Sequence, residues 1–293
     1  MVIIDGKLIS AQIRSELKIV IGQLCKVTGK TPGLAAILVG ENPASKVYVG
    51  MKSKACNEIG INSFVEKLDE NISENALLNV IKKFNDDVNI HGILVQLPLP
   101  KHINQDKILN SISVQKDIDG FHPYNVGNLV IGHDTFFPCT PNGILELLER
   151  YNISVSGKHV VVIGRSNIVG KPIANMLLQK NKNANATVTV CHSNSGDISR
   201  YTVQADILIA AIGKPEIIKE NMIKEGAVVI DVGVNRVDAD SEKGYKLVGD
   251  VDYKNVLNKV SAITPVPGGV GPMTIAMLLK NTIKAFKLIN NID

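Results

Sequence analysis

Short continuous apolar runs alternate along the chain with stretches in which apolar residues recur every three or four positions. Residues 7–28 have the second pattern and are followed by Gly29, which predicts an amphipathic helix. Residues 33–40 form an apolar run of strand length. Asn42 and Pro43 then provide a cap and a first-turn proline for a helix that runs to Gly60.

The alternation continues to the end of the chain and predicts a parallel sheet with helices on its faces. The elements expected before a Gly-, Pro- and Asn-rich connection at 117–141 are strands at 63–68 and 91–96 and helices at 73–87 and 104–111. The elements expected after it are a helix at 143–150, strands at 158–163, 187–191, 206–211 and 227–231, a rigid loop at 262–272 and a helix at 273–288.

This order predicts an α/β fold of two domains. The first domain is expected to hold residues 1–120 and 273–293, because an apolar terminal helix needs a surface on which to dock. The second is expected to hold residues 140–265. No internal repeat and no low-complexity segment is present in the sequence.

The amino-acid composition excludes some classes of function. The chain has 293 residues, of which 45% are hydrophobic and 20% charged, so extended disorder is excluded. The 32 basic and 28 acidic residues give a formal net charge of +4, and the excess basic residues are scattered along the chain. This charge favours an anionic small molecule over nucleic acid as the ligand. The absence of Trp also disfavours a stacking surface for single-stranded nucleic acid.

Four cysteines stand far apart in the sequence, without a C-x-x-C pair or a neighbouring histidine cluster, so no metal site is expected. The N-terminal residues do not resemble a secretory leader, and reduced thiols in the cytoplasm are the expectation. No apolar run reaches the length of a membrane span, so no membrane association is expected.

Residues 158–172, KHVVVIGRSNIVGKP, have the layout of a Rossmann-like dinucleotide site. An apolar strand leads into Gly164, Gly170 follows, and Pro172 opens a helix whose N-terminal amides could face a pyrophosphate. The alternative is a strand-to-helix turn that binds no ligand, since the G-x-G-x-x-G pattern is absent.

The end of the following strand distinguishes the two nicotinamide dinucleotides. An NAD site usually carries an acid there, whereas this strand ends in His192 and Ser193 and the first acid is Asp197. With Arg165 in the preceding loop, a 2′-phosphate would meet a cation and a hydroxyl group, which favours NADP.

Polar residues of the first domain form a second candidate site. Tyr48 and Lys52 are four positions apart on one predicted helix, and therefore share a face that either contacts a substrate or is simply solvated. Gln96 lies at the carboxyl end of an apolar strand, where ligands bind in open parallel sheets. Its amide either contacts a ligand or only makes a hydrogen bond at the end of the strand. Asp117 and Asp119 flank a turn that needs only one of them as a cap.

Three segments are highly specific: TPVPGGVGPMT at 264–274, KDIDGFHP at 116–123 and GRSNIVGKP at 164–172. With them, nearly the whole chain resembles the bifunctional methylenetetrahydrofolate dehydrogenase/methenyltetrahydrofolate cyclohydrolase family. The resemblance implies NADP-dependent oxidation of 5,10-methylenetetrahydrofolate to 5,10-methenyltetrahydrofolate, followed by hydrolysis to 10-formyltetrahydrofolate. It also implies two α/β domains with a cleft between them, tetrahydrofolate derivatives as ligands and a homodimer.

The resemblance assigns roles residue by residue. The catalytic set is Lys52, Tyr48, Gln96 and Asp119. The expected folate contacts are these four residues with Val95, Leu97, Pro267, Gly268, Gly269, Val270 and Gly271. The expected NADP contacts are Gly164, Arg165, Ser166, Ser193 and Val234.

The sequence departs from the family at Gly50, where relatives usually carry a larger residue and where glycine weakens a helix by about 1 kcal/mol. The alternative functions are a monofunctional NAD(P)-dependent dehydrogenase of the same fold and a ligand-binding homologue without turnover. A shikimate-dehydrogenase-like enzyme has a similar layout but lacks the segment at 264–274. Retention of Tyr48, Lys52 and Gln96 favours the bifunctional enzyme.

Overall fold

A computed structural model of the protein describes residues 1–240 and 244–292. The chain forms two compact units, each assembled from two separate segments. Unit 1 comprises Met1–Ser10 and Pro138–Thr274, and unit 2 comprises Ala11–Phe137 and Ile275–Asp293.

A parallel sheet forms the centre of unit 1, with strand order β1-β11-β8-β7-β5-β6 in the described residues. Strands β9 and β10 pair antiparallel in a separate two-stranded sheet. The strands are β1 (Val2–Ile3), β5 (His159–Ile163), β6 (Thr187–Cys191), β7 (Ile207–Ala210), β8 (Val228–Asp231), β9 (Asn235–Asp238), β10 (Tyr245–Val248) and β11 (Ala262–Ile263). The helices are α6 (Cys139–Arg150), α7 (Gly170–Leu178), α8 (Ser199–Thr202) and α9 (Tyr253–Val256).

Unit 2 has a parallel sheet of strand order β3-β2-β4 in the described residues. Its strands are β2 (Gly33–Val39), β3 (Asn62–Leu68) and β4 (Gly92–Val95). Its helices are α2 (Pro43–Ile59), α3 (Glu74–Asp86), α4 (Gln105–Asn110) and α5 (Pro123–Ile131). Two further helices, α1 (Gly6–Thr28) and α10 (Val270–Ile289), each begin in unit 1 and continue into unit 2.

Burial of the sheets explains the continuous apolar runs in the sequence. Every residue of β2 and β4 is buried, because helices cover both faces of a parallel sheet. In unit 2 the core includes Ile37, Ile81 and Ile93. In unit 1 the core includes Val161 and Leu208 from neighbouring strands.

The C-terminal helix is part of the core of unit 2. Phe286 of α10 is fully buried and its ring meets the ring of His91 edge-on, with 4.7 Å between centroids. His91 Nδ1 accepts a hydrogen bond from the backbone N–H of Gly33, and burial lowers the pKa of this imidazole to about 4. A neutral histidine thus joins α10 to the start of β2.

The two-domain α/β fold expected from the sequence is confirmed. The units differ from the expected domain of residues 1–120 with 273–293 in that the first ten residues belong to unit 1. The reason is the pairing of β1 with β11, in which Val2 lies beside Ala262. Two apolar residues are too few for a periodicity to reveal such a strand.

The sequence predicts a Gly-, Pro- and Asn-rich connection at 117–141 and no helix in it, whereas the structure has α5 within this segment. The His122 side chain accepts from the N–H of Tyr124, Pro123 occupies the first turn, and Gly132 ends the helix in a left-handed conformation. Strong capping thus forms a helix where the apolar pattern is weak. Among the described residues, no helix combines the length and apolar character that a membrane crossing requires.

Candidate active site

Helix α2 positions the amine of Lys52. The Asn42 side chain accepts from the N–H of Ser45 at 3.0 Å, and Pro43 starts the helix, so its first turn is well defined. Lys52 lies in the third turn and is only 9% exposed. Its Nζ donates a hydrogen bond of 3.0 Å to Gln96 Oε1. The solvated-face alternative for Lys52 is therefore wrong.

Gln96 follows β4 at the carboxyl end of the parallel sheet. Its backbone N–H donates to the carbonyl of Ile37 on β2, and its Nε2 donates to the carbonyl of Leu97 at 2.8 Å. These two bonds hold the amide so that its oxygen faces Lys52. An amine and an amide 44 residues apart in the chain are thus brought together by a helix that returns over the sheet.

The neighbours of this pair are exposed to different degrees. Tyr48 is 46% exposed and lies one turn before Lys52 on the same face of α2. The Val95 side chain is 2% exposed within the core, so a folate contact at this residue would have to use its backbone. Leu97 is half-buried.

The two acids near the end of unit 2's first segment occupy different environments. Asp117 is 2% exposed and accepts from the N–H groups of Phe121 and His122 and from Asn125 Nδ2. Burial raises the pKa of Asp117, while these bonds oppose the rise. Asp119 is half-buried. Asp117 therefore caps the turn, and Asp119, the more exposed of the two acids, stays the predicted ligand.

Two further side chains hold the backbone of this turn. The buried Lys116 Nζ donates to three carbonyls at the end of α3, those of Phe84, Asn85 and Asp87. From α10, Asn281 Nδ2 donates to the carbonyl of Ile118 at 2.7 Å. The residue next to Asp119 is thus tied to the C-terminal helix.

The segment after β5 has the geometry expected of a phosphate loop. Gly164 has φ +119°, and a Cβ built there would lie 2.2 Å from the carbonyl oxygen of Ala211. A Cβ on Gly170 would lie 2.1 Å from the carbonyl oxygen of Gly164. Ser166 Oγ accepts from the N–H of Val169. Only glycine permits this close passage of backbone into the start of α7.

A cavity of about 480 Å³ lies beside this loop within unit 1. Its lining includes Gly164, Arg165, Ser166, His192, Ser193 and Lys214. The cationic side chains of Arg165 and Lys214 suit a phosphorylated ligand. Asp197 is exposed, and hydrogen bonds from Ser199 lower the pKa of its carboxyl group. The described lining of the cavity includes neither Asp197 nor Val234, which is 47% exposed.

The glycine-rich segment before α10 packs against the start of α1 within unit 1. The N–H of Lys7 donates to the carbonyl of Gly268, and a Cβ on Gly6 would lie 1.8 Å from the carbonyl oxygen of Gly269. Val270 is buried. The expected folate contacts at 267–271 therefore belong to unit 1, whereas Lys52, Gln96 and Asp119 belong to unit 2.

Two family models match the chain. Residues 4–119 match the tetrahydrofolate dehydrogenase/cyclohydrolase catalytic domain, and residues 138–290 match the NAD(P)-binding domain of the same family. The chain belongs to the tetrahydrofolate dehydrogenase/cyclohydrolase family. This confirms the family expected from the segments at 116–123, 164–172 and 264–274.

Relatives match over essentially the full length. The bifunctional protein FolD of Chlorobium limicola is 58% identical over 296 residues, with 100% of each chain covered. The crystal structure of the Campylobacter jejuni bifunctional enzyme FolD is 55% identical with a TM-score of 0.93, covering 98% of this chain and 99% of that one. The Trypanosoma brucei dehydrogenase-cyclohydrolase, solved with NADP cofactor and inhibitor, is 40% identical with a TM-score of 0.93 and 98% coverage of each chain.

Sequence reasoning missed two residues at the NAD(P)-binding side of this family member. Lys214 lines the cavity, and Asp250 binds the backbone that carries Lys214. The position of Lys214, four residues after β7, could have indicated a ligand contact, because the carboxyl ends of parallel strands face ligands. Asp250 had no such signal, since its partners are backbone groups of another segment. Among the described residues, no three His, Cys, Asp or Glu side chains form a group that could hold a metal ion.

Proposed function

We propose that this protein is a bifunctional enzyme that oxidises 5,10-methylenetetrahydrofolate to 5,10-methenyltetrahydrofolate with NADP and then hydrolyses the product to 10-formyltetrahydrofolate. The observation that carries the proposal is the buried amine of Lys52 held 3.0 Å from Gln96 in the catalytic domain of this family. The relatives named above are bifunctional enzymes by name, and one of their structures contains NADP.

The cavity of unit 1 fits NADP. Gly164 and Gly170 let the backbone pass closely through the turn into α7, whose N-terminal amides could face a pyrophosphate, and Ser166 of the same turn lines the cavity. Arg165 and Ser193 would bind the 2′-phosphate, since a guanidinium pairs well with phosphate and no carboxylate stands among the described lining residues. When bound, the nicotinamide supplies the hydride acceptor. Val234 remains a proposed contact.

Unit 2 supplies the groups for hydrolysis. Water adds to the positively charged methenyl carbon and releases one proton, which Lys52 Nζ accepts when it is neutral. The substrate's own charge favours the neutral amine, because two cations repel at short range. Breaking the bond between this carbon and N5 leaves the formyl group on N10, and the second water proton ends on N5. Gln96 holds Lys52 in place, and Tyr48 packs against the folate.

Asp119 is the proposed pterin ligand. Its carboxylate would accept hydrogen bonds from the pterin amino group and ring N–H, a planar donor pair. Leu97, the Val95 backbone and the segment Pro267–Gly271 are the other proposed folate contacts. The turn around Asp119 is fixed from both sides by Asp117 and Asn281, which preorganises this carboxylate.

Spectroscopy of the two steps tests the proposal. The purified protein is given methylenetetrahydrofolate with NADP or NAD, and absorbance follows methenyltetrahydrofolate and reduced nicotinamide. Formation of reduced NADP, with decay of added methenyltetrahydrofolate in the absence of cofactor, is the expected result. Reduction without accelerated methenyl decay would identify a monofunctional dehydrogenase, and the lack of both reactions would identify a homologue without turnover.

We also propose a homodimer and a cytoplasmic location. The first rests on the family resemblance, and the second is supported by four cysteines that are free thiols in the structure. Sedimentation equilibrium would give the mass of the dimer, and a monomer mass at micromolar concentration would contradict it.

A further inference from the structure

A single buried carboxylate binds the turn that follows β7. Asp250 Oδ2 accepts from the N–H of Ile212 at 2.6 Å and of Gly213 at 3.0 Å, and Oδ1 accepts from the N–H of Lys214 at 3.0 Å. Asp250 is completely buried. Three successive backbone donors converge on one side chain that lies 36 to 38 residues away in the chain.

The position of this carboxylate is itself fixed. Asn235 Nδ2 donates to Asp250 Oδ1 at 2.9 Å, and the N–H of Asp250 donates to Asp231 Oδ1 at 2.9 Å. The N–H groups of Val251 and Gly233 also donate to Asp231. Burial raises the pKa of Asp231 to about 7. The end of β8 and the segment before α9 are therefore locked together by this pair of acids.

Little space surrounds the two carboxylates. A Cβ on Gly233 would lie 2.1 Å from Asp250 Oδ1, and a Cβ on Gly249 would lie 1.8 Å from Asp231 Oδ2. Each carboxylate is the acceptor of several backbone N–H groups, and an apolar side chain of similar volume would leave those donors without it. The two acids therefore fix the backbone segments that they bind.

The turn that Asp250 holds forms one wall of the dinucleotide cavity. Ala211, Ile212 and Lys214 all line it, beside the phosphate loop that follows the neighbouring strand β5. The carbonyl oxygen of Ala211 is also the atom that a Cβ on Gly164 would strike. The turn and the phosphate loop are thus in direct contact, and a displacement of the turn changes both walls.

We infer that Asp250 is a positioning residue for the cofactor: its carboxylate holds the turn Ile212–Lys214 in the shape that NADP binding requires. This inference rests on the proposed function. It predicts that Asp250→Asn weakens NADP binding, because the new amide presents N–H groups to backbone donors. Hydrolysis of methenyltetrahydrofolate needs no cofactor and is therefore expected to be retained.

The test compares three enzymes: wild type, Asp250→Asn and the matched control Asp252→Asn. Asp252 lies two residues further on and bonds Lys219 and Asn255 instead of the turn. For each enzyme we would measure the KM for NADP, the KM for methylenetetrahydrofolate and the rate of methenyltetrahydrofolate hydrolysis without cofactor. Asp250→Asn should raise the KM for NADP about 10- to 100-fold, the effect of lost hydrogen bonds to a charged acceptor.

The other two quantities should stay within about twofold of wild type, and Asp252→Asn should change none of the three. An unchanged KM for NADP, or a parallel loss of hydrolysis, would overturn the inference. A wild-type enzyme that fails to reduce NADP would instead refute the proposed function.

If Asp250→Asn does not fold, Gly213→Ala decides the matter. Gly213 has φ +72° with no heavy atom within 4 Å of a built Cβ, so alanine strains the turn without a clash. A raised KM for NADP with retained hydrolysis then supports the role of the turn, and an unchanged KM contradicts it.

Discussion

In unit 2 a side chain of α2 meets a side chain at the end of β4, whereas in unit 1 the cavity after β5 is shaped by backbone. Lys52 and Gln96 contribute an amine and an amide that are joined by one hydrogen bond. Gly164 and Gly170 act by having no side chain, since a Cβ on either would lie about 2 Å from a carbonyl oxygen. The first region depends on functional groups, and the glycine turn of the second depends on the absence of side chains.

This difference predicts how each region responds to substitution. Removing a functional group from unit 2 should stop a chemical step while leaving the fold intact, because surrounding packing is unchanged. Adding an atom to the glycine turn of unit 1 should disturb the backbone and with it cofactor binding. Matched variants in the two units can therefore separate hydrolysis from oxidation.

The largest expected effect is that of Lys52→Met. Loss of the amine should lower the rate of methenyltetrahydrofolate hydrolysis by about 10²- to 10⁴-fold, the usual contribution of a general base. NADP affinity, measured by titration calorimetry, should change little. The control is Lys54→Met, two positions further on α2 at an exposed position, which should hydrolyse at the wild-type rate. Normal hydrolysis by Lys52→Met would refute the assignment.

The next effect is that of Gly164→Ala. The new methyl group would clash with the carbonyl oxygen of Ala211, and alanine is strained at a backbone φ of +119°. We therefore expect the free energy of unfolding to fall by about 1–3 kcal/mol. NADP affinity should fall while the folded protein still hydrolyses methenyltetrahydrofolate. Gly22→Ala in α1 meets no heavy atom within 4 Å and should bind NADP normally. Unchanged affinity in Gly164→Ala would contradict the assignment of the cavity.

A smaller effect is expected from Gln96→Leu, which keeps the volume but removes the acceptor of Lys52. The hydrogen bond that positions the neutral amine contributes about 0.5–1.5 kcal/mol, so hydrolysis should slow by about 2- to 10-fold. Stopped-flow absorbance would measure it. A loss as large as that of Lys52→Met would show that Gln96 takes part in the chemistry instead of positioning the amine.

The smallest effect is that of Gly50→Ala in α2. No heavy atom lies within 4 Å of a Cβ built at Gly50, so alanine should stabilise the helix by about 1 kcal/mol and raise the Tm by about 2–4 °C. Calorimetry would measure the Tm. Rates of both reactions should be unchanged, and a slower hydrolysis would show that Lys52 needs a pliable helix.

The sequence predicted the regions where pattern and chemistry are local. Strands β2, β4 and β5 are apolar runs, and α2 carries its own cap and proline. The sequence pattern missed β1, β11, the antiparallel pair of β9 and β10, and α5, because two-residue strands, half-exposed strands and caps leave a weak apolar signal.

Among functional residues, glycine spacing and motif resemblance indicated the phosphate loop and the Lys52 site. Asp250 was beyond prediction. Its role lies in three backbone donors of a distant turn, and backbone donors leave no trace in residue identity. The residue pattern by itself did not distinguish Asp117 from Asp119, and only the family resemblance assigned the ligand role to Asp119. The structure adds that Asp117 is buried and caps the turn.

The return of α10 to unit 2 has a consequence for biosynthesis. A ribosome completes residues 11–137 long before it makes Asn281 and Phe286. Phe286 fills the core beside His91, and Asn281 binds the carbonyl of the residue before Asp119. Until the last helix leaves the exit tunnel, part of the apolar interior of unit 2 is uncovered. A chain that ends at the glycine-rich segment 267–271 would therefore contain Lys52, Gln96 and Asp119 in a unit whose core is incomplete.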